Sequence, residues 1–317
     1  MRLDELLGIK GDIVMAEPSY QNNLHINESL GLLRRIASDL TRFDEPVNAR
    51  MIVIEDGKEA YALALYSPAD DEEDCCETWM ILTTALDSEN QGLFEELLHT
   101  IRDHVKSDGV TTLTLEKTPF KDAIREYYSL KLMENLGKYA LNPESVHNRP
   151  RVERIKELVG RLKKYSGIEI RGKVIEICCG NGMATAALHE LGIEPICVDN
   201  DPYSITEGLL ARTLKPERTI VADATELSRV LKGEEFDTAI GFMLGDIDNF
   251  NRPIWKQILL ETMKVTKNGG NLFFTVRTEP EARFIDETVN KLAVGKVIRP
   301  DKEETLYDRW IYIGKKK

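Results

Sequence analysis

The stretch Lys173-Val-Ile-Glu-Ile-Cys-Cys-Gly-Asn-Gly-Met-Ala-Thr185 holds the residue types best suited to gripping a ligand. An apolar run ends there in a turn bearing Gly180 and Gly182, which opens onto a helix-like segment. Glycine lets the backbone come close to a bound molecule, and a helix start offers it unpaired N–H groups. Asp199 ends the next apolar run, 19 residues beyond Gly180. A carboxylate at that place can accept both hydroxyls of a ribose. Asp223 ends a third run and could accept from an adenine amino group. Asp246 and Asp248 follow a fourth run, where they could act as bases or hold a cationic substrate.

Each of these residues also has a plainer reading. The glycines could simply form a turn. Asp199 could cap the helix that begins at Pro202, and Asp223 could be a turn residue. Asp246 and Asp248 could cap the helix starting near Pro253 or face water. Cys178-Cys179 reads as small core packing rather than a reactive pair. His189 reads as a surface residue.

The elements that would carry these residues alternate along the second half. Strand-like runs are 174–178, 195–199, 219–222, 238–242 and 271–276, with helical segments at 183–191, 202–212, 225–231 and 253–265. Such alternation builds right-handed βαβ units, hence a parallel sheet with helices on both faces. A helix over 280–292 then leads to strands at 296–299 and 309–313, predicted to pair as an antiparallel hairpin. The first half is mixed α and β. Helical spacing covers 28–40, and a hairpin joins 51–55 to 60–66 through Asp56-Gly57. A strand at 78–86, a helix at 93–105 and a strand at 111–115 follow, with Gly109 as a left-handed cap. A helix over 123–132 and a strand at 138–141 end this half. Asn142-Pro143 and Arg149-Pro150 break the pattern, so the chain divides into an α+β domain, 1–145, and an α/β domain, 146–317.

Charge supports that division. Residues 1–150 carry 15 Lys+Arg against 28 Asp+Glu, and the remainder 27 against 26, out of a net charge of -12. An acidic first half argues against a grip on a phosphate backbone. The run Asp70-Asp-Glu-Glu-Asp74 reads as a solvated loop. No apolar run approaches the ~20 residues that span a bilayer, and the N-terminus lacks a signal-peptide pattern. Five cysteines without metal-ligand spacing, Cys75-Cys76 among them, suit reduced thiols in the cytoplasm and no zinc site.

A dinucleotide fold would place a third glycine in G-x-G-x-x-G, yet that position is Thr185 counted from Gly180 and Met183 counted from Cys178. An NAD-linked oxidoreductase is thereby disfavoured. The stretch instead resembles the first motif of the class I S-adenosylmethionine-dependent methyltransferases, with Glu176 as its acid and Cys178 where that family usually has glycine. The resemblance covers about residues 150–317. It implies a Rossmann-like seven-stranded sheet, mostly parallel with one antiparallel strand, and S-adenosyl-L-methionine as cofactor. It further implies that Glu176, Cys178, Gly180, Gly182, Asp199, Asn200, Asp223, Ala224 and Phe242 form the cofactor site. A side chain placed at Gly182 is expected to occupy the cofactor's space. Lys267-Asn-Gly-Gly270 is similar to the family's K-P-G-G turn before a strand.

The implied activity is methyl transfer, and a silent cofactor-binding protein is the alternative. Residues 242–249 lack the N-P-P-Y signature, so a small molecule or protein side chain is favoured over nucleic acid as acceptor. Thr275-Val-Arg-Thr278 lacks the acid and amide ligands of a metal-dependent mechanism. Tyr139, His147 and Arg149 are candidates for lining an acceptor pocket. The first half resembles, faintly, the GCN5-related N-acetyltransferase fold. Acids at Asp87 and Glu89 stand where that family binds pyrophosphate, implying a domain that holds a substrate or partner without acyl transfer.

Overall fold

The computed structural model describes residues 1–16, 27–68, 77–86, 90–140, 146, 148–299 and 308–317. The acidic run 70–74, Cys75-Cys76, Asp87–Glu89, the Asn142-Pro143 break and His147 lie outside them. The chain forms two compact units, Met1–Tyr127 and Tyr128–Lys317. No described helix is long and apolar enough to cross a membrane.

The first unit begins with α1 (Leu3–Leu7), β1 (Asp12–Met15) and α2 (Asn27–Leu40). Next come β2 (Met51–Glu55), β3 (Ala60–Ser67), β4 (Thr78–Thr83), α3 (Gln91–Asp103) and β5 (Val110–Thr114). Its sheet has the order β1-β4-β3-β2-β5, with β1 and β5 parallel to their neighbours and the central pairs antiparallel. The β2–β3 hairpin turns as its sequence predicts: Asp56 Oδ1 accepts from the N–H of Lys58 and Glu59, and Gly57 has φ +82°. Leu30, Leu33 and Ala37 of α2 and Phe94, Leu98 and Ile101 of α3 bury against Met51, Val53, Leu63 and Leu82. That helical spacing of apolar residues is what makes α2 and α3. Gly109 is not a left-handed cap. A Cβ there would lie 1.9 Å from the Ala49 carbonyl oxygen, so the close approach of the segments leading into β5 and β2 requires the glycine. Residues Gly137–Tyr139 form a short 3₁₀ turn, not a strand.

Helix α4 (Lys117–Leu136) passes from one unit into the other. The second unit continues with α5 (Arg149–Ser166), β6 (Val174–Ile177), α6 (Met183–Glu190), β7 (Ile196–Asp199) and α7 (Pro202–Leu210). Then come β8 (Thr219–Val221), α8 (Leu227–Val230), β9 (Phe236–Gly241), α9 (Arg252–Val265) and β10 (Thr266–Val276). The last elements are α10 (Glu279–Val289), β11 (Ala293–Ile298) and β12 (Trp310–Lys316). The sheet order is β11-β12-β10-β9-β6-β7-β8. All strands from β6 to β10 pair in parallel, while β12 runs antiparallel between β10 and β11. This is the expected seven-stranded α/β architecture. The closing hairpin is not simply appended to the sheet's edge, because β12 inserts beside β10.

Helices cover both faces. Val152, Ile155, Leu158 and Leu162 of α5 and Ala184, Ala187 and Leu188 of α6 pack on Val174, Ile240, Phe273, Ile311 and Ile313. The same face continues over β7 and β8, where Ile205 and Leu209 of α7 meet Cys179, Cys197, Leu214 and Leu132 from the end of α4. Lys267–Gly270 lies within β10 rather than before it, and the register with β9 shifts between Thr266 and Asn271. Asp237 anchors that bulge by pairing with Lys267 at 2.9 Å.

Candidate functional site

Strand order reverses between β6 and β9, and the chain ends of these two strands meet where open α/β sheets bind ligands. The β6 strand ends in the Cys178–Gly182 turn. Cys178, Gly180 and Gly182 all have left-handed backbone, with φ of 52°, 54° and 74°. A Cβ on Gly180 would meet nothing within 4 Å, so its outer side is open. A Cβ on Gly182 would lie 2.5 Å from Leu214 Cδ2. The missing side chain of Gly182 thus makes room for the protein's own Leu214. Gly180 is the position whose added atom would enter open space.

Asp199 braces this turn. Its Oδ2 accepts from the Gly180 N–H at 2.8 Å, and its Oδ1 accepts from the Asp201 N–H at 2.9 Å. A carboxylate oxygen takes two hydrogen bonds, so each keeps one acceptor position. Asp199 does not cap α7. Asp201 does, accepting from the Tyr203 N–H at 3.0 Å and the Ser204 hydroxyl at 2.6 Å. Asn200 beside it is exposed.

Glu176 lies behind the turn, buried, with Thr185 Oγ1 donating to it at 2.7 Å. Loss of hydration pushes its carboxyl up to about 7, against the opposing effect of that hydrogen bond. Thr185 thus has a reason to replace a glycine: a buried acid needs a donor. The Cys178 thiol is pushed up to about 12, chiefly by lost hydration and further by the charges of Asp199 and Asp223. A thiol so shifted stays protonated and unreactive near neutral pH.

Asp223 is exposed and accepts from the Thr225 N–H at 2.8 Å, while the neighbouring Ala224 is buried. Phe242 follows β9. It is buried and packs edge-on against Phe273, with centroids 5.4 Å apart, within the core beneath α5 and α6. Asp246 is exposed and pairs with Arg277 at 2.9 Å. Asp248 Oδ1 accepts from the N–H groups of Phe250 and Asn251, so it forms the turn before α9, whose N-cap is Asn251. Arg149 pairs with Glu153 and Glu190 on the surface, and Tyr139 is exposed beneath Lys138. His189 is mostly buried rather than a surface residue, 3.6 Å from Glu194, and burial lowers its pKa.

Several contacts that shape the turn were not singled out from the sequence. Thr213 Oγ1 donates to the Asn181 carbonyl at 2.6 Å, and a Cβ on Gly208 would lie 2.6 Å from the same oxygen. Glu281 accepts from the Thr278 N–H as a capping box and from the Ile247 N–H at 3.2 Å, tying α10 to the loop after β9. The Thr278-x-x-Glu281 spacing was the available signal for that contact.

The sheet order and the glycine turn at its switch point define a Rossmann-like α/β fold. Residues 175–274 match the family described as "Methyltransferase domain". That stretch, from β6 into β10 of the second unit, is a methyltransferase domain by this match. Among curated proteins no sequence matches the chain. Solved structures similar to it include the N-methyltransferase NodS from Bradyrhizobium japonicum WM9. That protein is 14% identical, with 53% of this chain and 98% of that one covered and a TM-score of 0.41. Another is the amino pentose methyltransferase CalS10 from Micromonospora echinaspora, at 9% identity, 52% and 91% coverage and a TM-score of 0.41. The acetyltransferase likeness of the first half gains no support from these comparisons.

Proposed function

We propose that S-adenosylmethionine lies against the Cys178–Gly182 turn and that its methyl passes to a small molecule or a protein side chain. The observation that carries this reading is Gly180: left-handed, open on its outer side, and held by Asp199 with acceptor capacity to spare. Gly180 and the start of α6 would line the methionine part, Asp199 the ribose, and Asp223 with Ala224 the adenine. The cofactor brings a methyl already activated on a sulfonium.

What remains for the chain is alignment of the acceptor. Asp246 pairs with Arg277 on the surface and Asp248 Oδ1 holds a turn, which argues against either as a dedicated base. That arrangement suits an acceptor arriving as a neutral nucleophile, for which a base is dispensable. The acidic first half supports an acceptor other than nucleic acid.

Calorimetry on the parent chain and Asp199→Ala, each with S-adenosylhomocysteine and its 2'-deoxyribose analogue, tests the reading. Charge-assisted hydrogen bonds contribute about 1.5–3 kcal/mol, so the substitution lowers affinity roughly ten- to a hundredfold. The deoxy analogue loses less in the variant than in the parent if the carboxylate meets the ribose. Strictly additive losses mean that Asp199 only braces the turn. Cofactor binding without turnover on any metabolite or protein acceptor would instead favour a silent binder.

A further inference from the structure

We propose that Thr275 and Asp308 are positioning residues for the cofactor site, acting through the backbone of Met243. The proposal rests on the reading that the cofactor lies at the Cys178–Gly182 turn. Met243 lies two residues beyond the end of β9 and has a φ of 52°, a conformation that side-chain-bearing residues rarely adopt. Its N–H donates to Thr275 Oγ1 at 2.6 Å, and the next N–H, of Leu244, donates to the Thr275 carbonyl at 3.0 Å. Thr275 Oγ1 in turn donates to Asp308 Oδ1. Thr275 is fully buried and Asp308 is 2% exposed, and Arg151 Nη2 balances that carboxylate at 3.3 Å from Oδ2.

The chain of donors therefore runs one way, from backbone N–H through hydroxyl to a buried carboxylate. Charge at its end strengthens every member. Such a chain can hold Met243 in a strained conformation that the residue alone would leave.

What the strained residue accomplishes is visible one position on. Leu244 is buried, and a Cβ on Gly241 would lie 2.6 Å from Leu244 Cδ2 and 3.3 Å from Ile177. The left-handed turn thus folds Leu244 back over Gly241, against the strand end that leads into Cys178. Glu176 and Ile240 are register partners on these neighbouring strands, so the two turns leave the sheet side by side. Releasing Met243 would unseat Leu244 and loosen the wall on which the Cys178 turn rests.

The test is calorimetry of the full chain with S-adenosylhomocysteine, well below the melting temperature of each variant. Thr275→Val removes the hydroxyl at nearly constant shape and is expected to weaken binding about tenfold or more, whereas Thr275→Ser stays near the parent. Glycine adopts the left-handed conformation unaided. Adding Met243→Gly to Thr275→Val is therefore expected to restore affinity to within roughly threefold of the parent.

A purely structural role would lower stability without moving the affinity of the folded protein, and glycine would not rescue it. Parent-like affinity in Thr275→Val, or a double variant as weak as the single one, overturns the proposal. If Thr275→Val does not fold, Asp308→Asn replaces it with the same expectations. Failure of the parent chain itself to bind would overturn the cofactor reading and this proposal with it. Failure of the variants alone would overturn only the positioning role.

Discussion

Cys178 occupies the left-handed position where the resembled family usually has glycine. A side-chain-bearing residue in that conformation costs roughly 1–2 kcal/mol, whereas glycine costs about 0.5–1 kcal/mol in chain entropy. Cys178→Gly is therefore expected to stabilise the second unit by up to ~1 kcal/mol, a rise of a few degrees in melting temperature. A fall in thermal stability would show that the cysteine's packing outweighs its strain. Glu176 makes a second prediction at this scale. Its pKa stands near 7 in the folded chain against 4.5 ordinarily, because burial disfavours the charge. Between those values the folded chain keeps a proton that the unfolded chain releases. The associated stability is fully present below about pH 4.5 and is lost as pH rises to about 7. Full loss corresponds to roughly 3 kcal/mol. Urea unfolding followed between about pH 5 and pH 8 should show this decline in the parent and much less of it in Glu176→Gln.

The elements position these residues through contacts that periodicity does not reveal. Gly180 and Gly182 look equivalent in the sequence, yet one faces open space and the other faces Leu214. Gly182→Ala would crowd Leu214 and is expected to cost about 1–3 kcal/mol of stability, beyond its backbone strain. Gly180→Ala should cost only the strain, about 1–2 kcal/mol, while weakening cofactor binding. Chemical denaturation paired with calorimetry separates the two, and equal stability losses with equal affinities would contradict the assignment.

The alternation of strands and helices from β6 to α9 was legible because each strand is an apolar run and each helix carries an apolar face. Asp199 and the glycine turn were legible for the same reason, since strand ends mark themselves. Thr275 and Asp308 were not, because their meeting depends on β12 inserting beside β10, a pairing between chain segments 33 residues apart. The Lys267–Gly270 bulge read as a turn, since glycines signal a break in either case.

The two units divide within α4 rather than in a loop. Leu132 is buried among Ile205, Leu209 and Leu214, with Met133 and Leu136 packed alongside, and Ser129 Oγ donates to the Pro216 carbonyl at 2.9 Å. The end of α4 thus covers one face of the methyltransferase sheet. A fragment beginning at Tyr128 is expected to fold. One beginning at Val146 exposes that face and should be less stable by ~3 kcal/mol or more, at about 1.5–3 kcal/mol per buried apolar side chain. Equal denaturation midpoints for the two fragments would refute this. Proline marks the Asn142-Pro143 break in the sequence, whereas a continuous helix carries no mark where one unit gives way to the next.

Among the described residues, four other than glycine have positive φ: Cys178, Arg212, Met243 and Asp308. Cys178 lies in the turn itself. Arg212 precedes the Thr213-Leu214 pair seated on Asn181 and Gly182. Met243 and Asp308 both reach Thr275. Scanning a protein with glycine weakens it almost everywhere, yet at such positions the sign of the effect can reverse. Arg212 is exposed, so its replacement by glycine sacrifices no core, whereas Asp308 holds a buried hydroxyl and would lose more than it gains. A glycine scan read by thermal melting would therefore outline the ligand's surroundings as an island of inverted signs. That outline is obtainable from the apo protein alone, before any acceptor has been found.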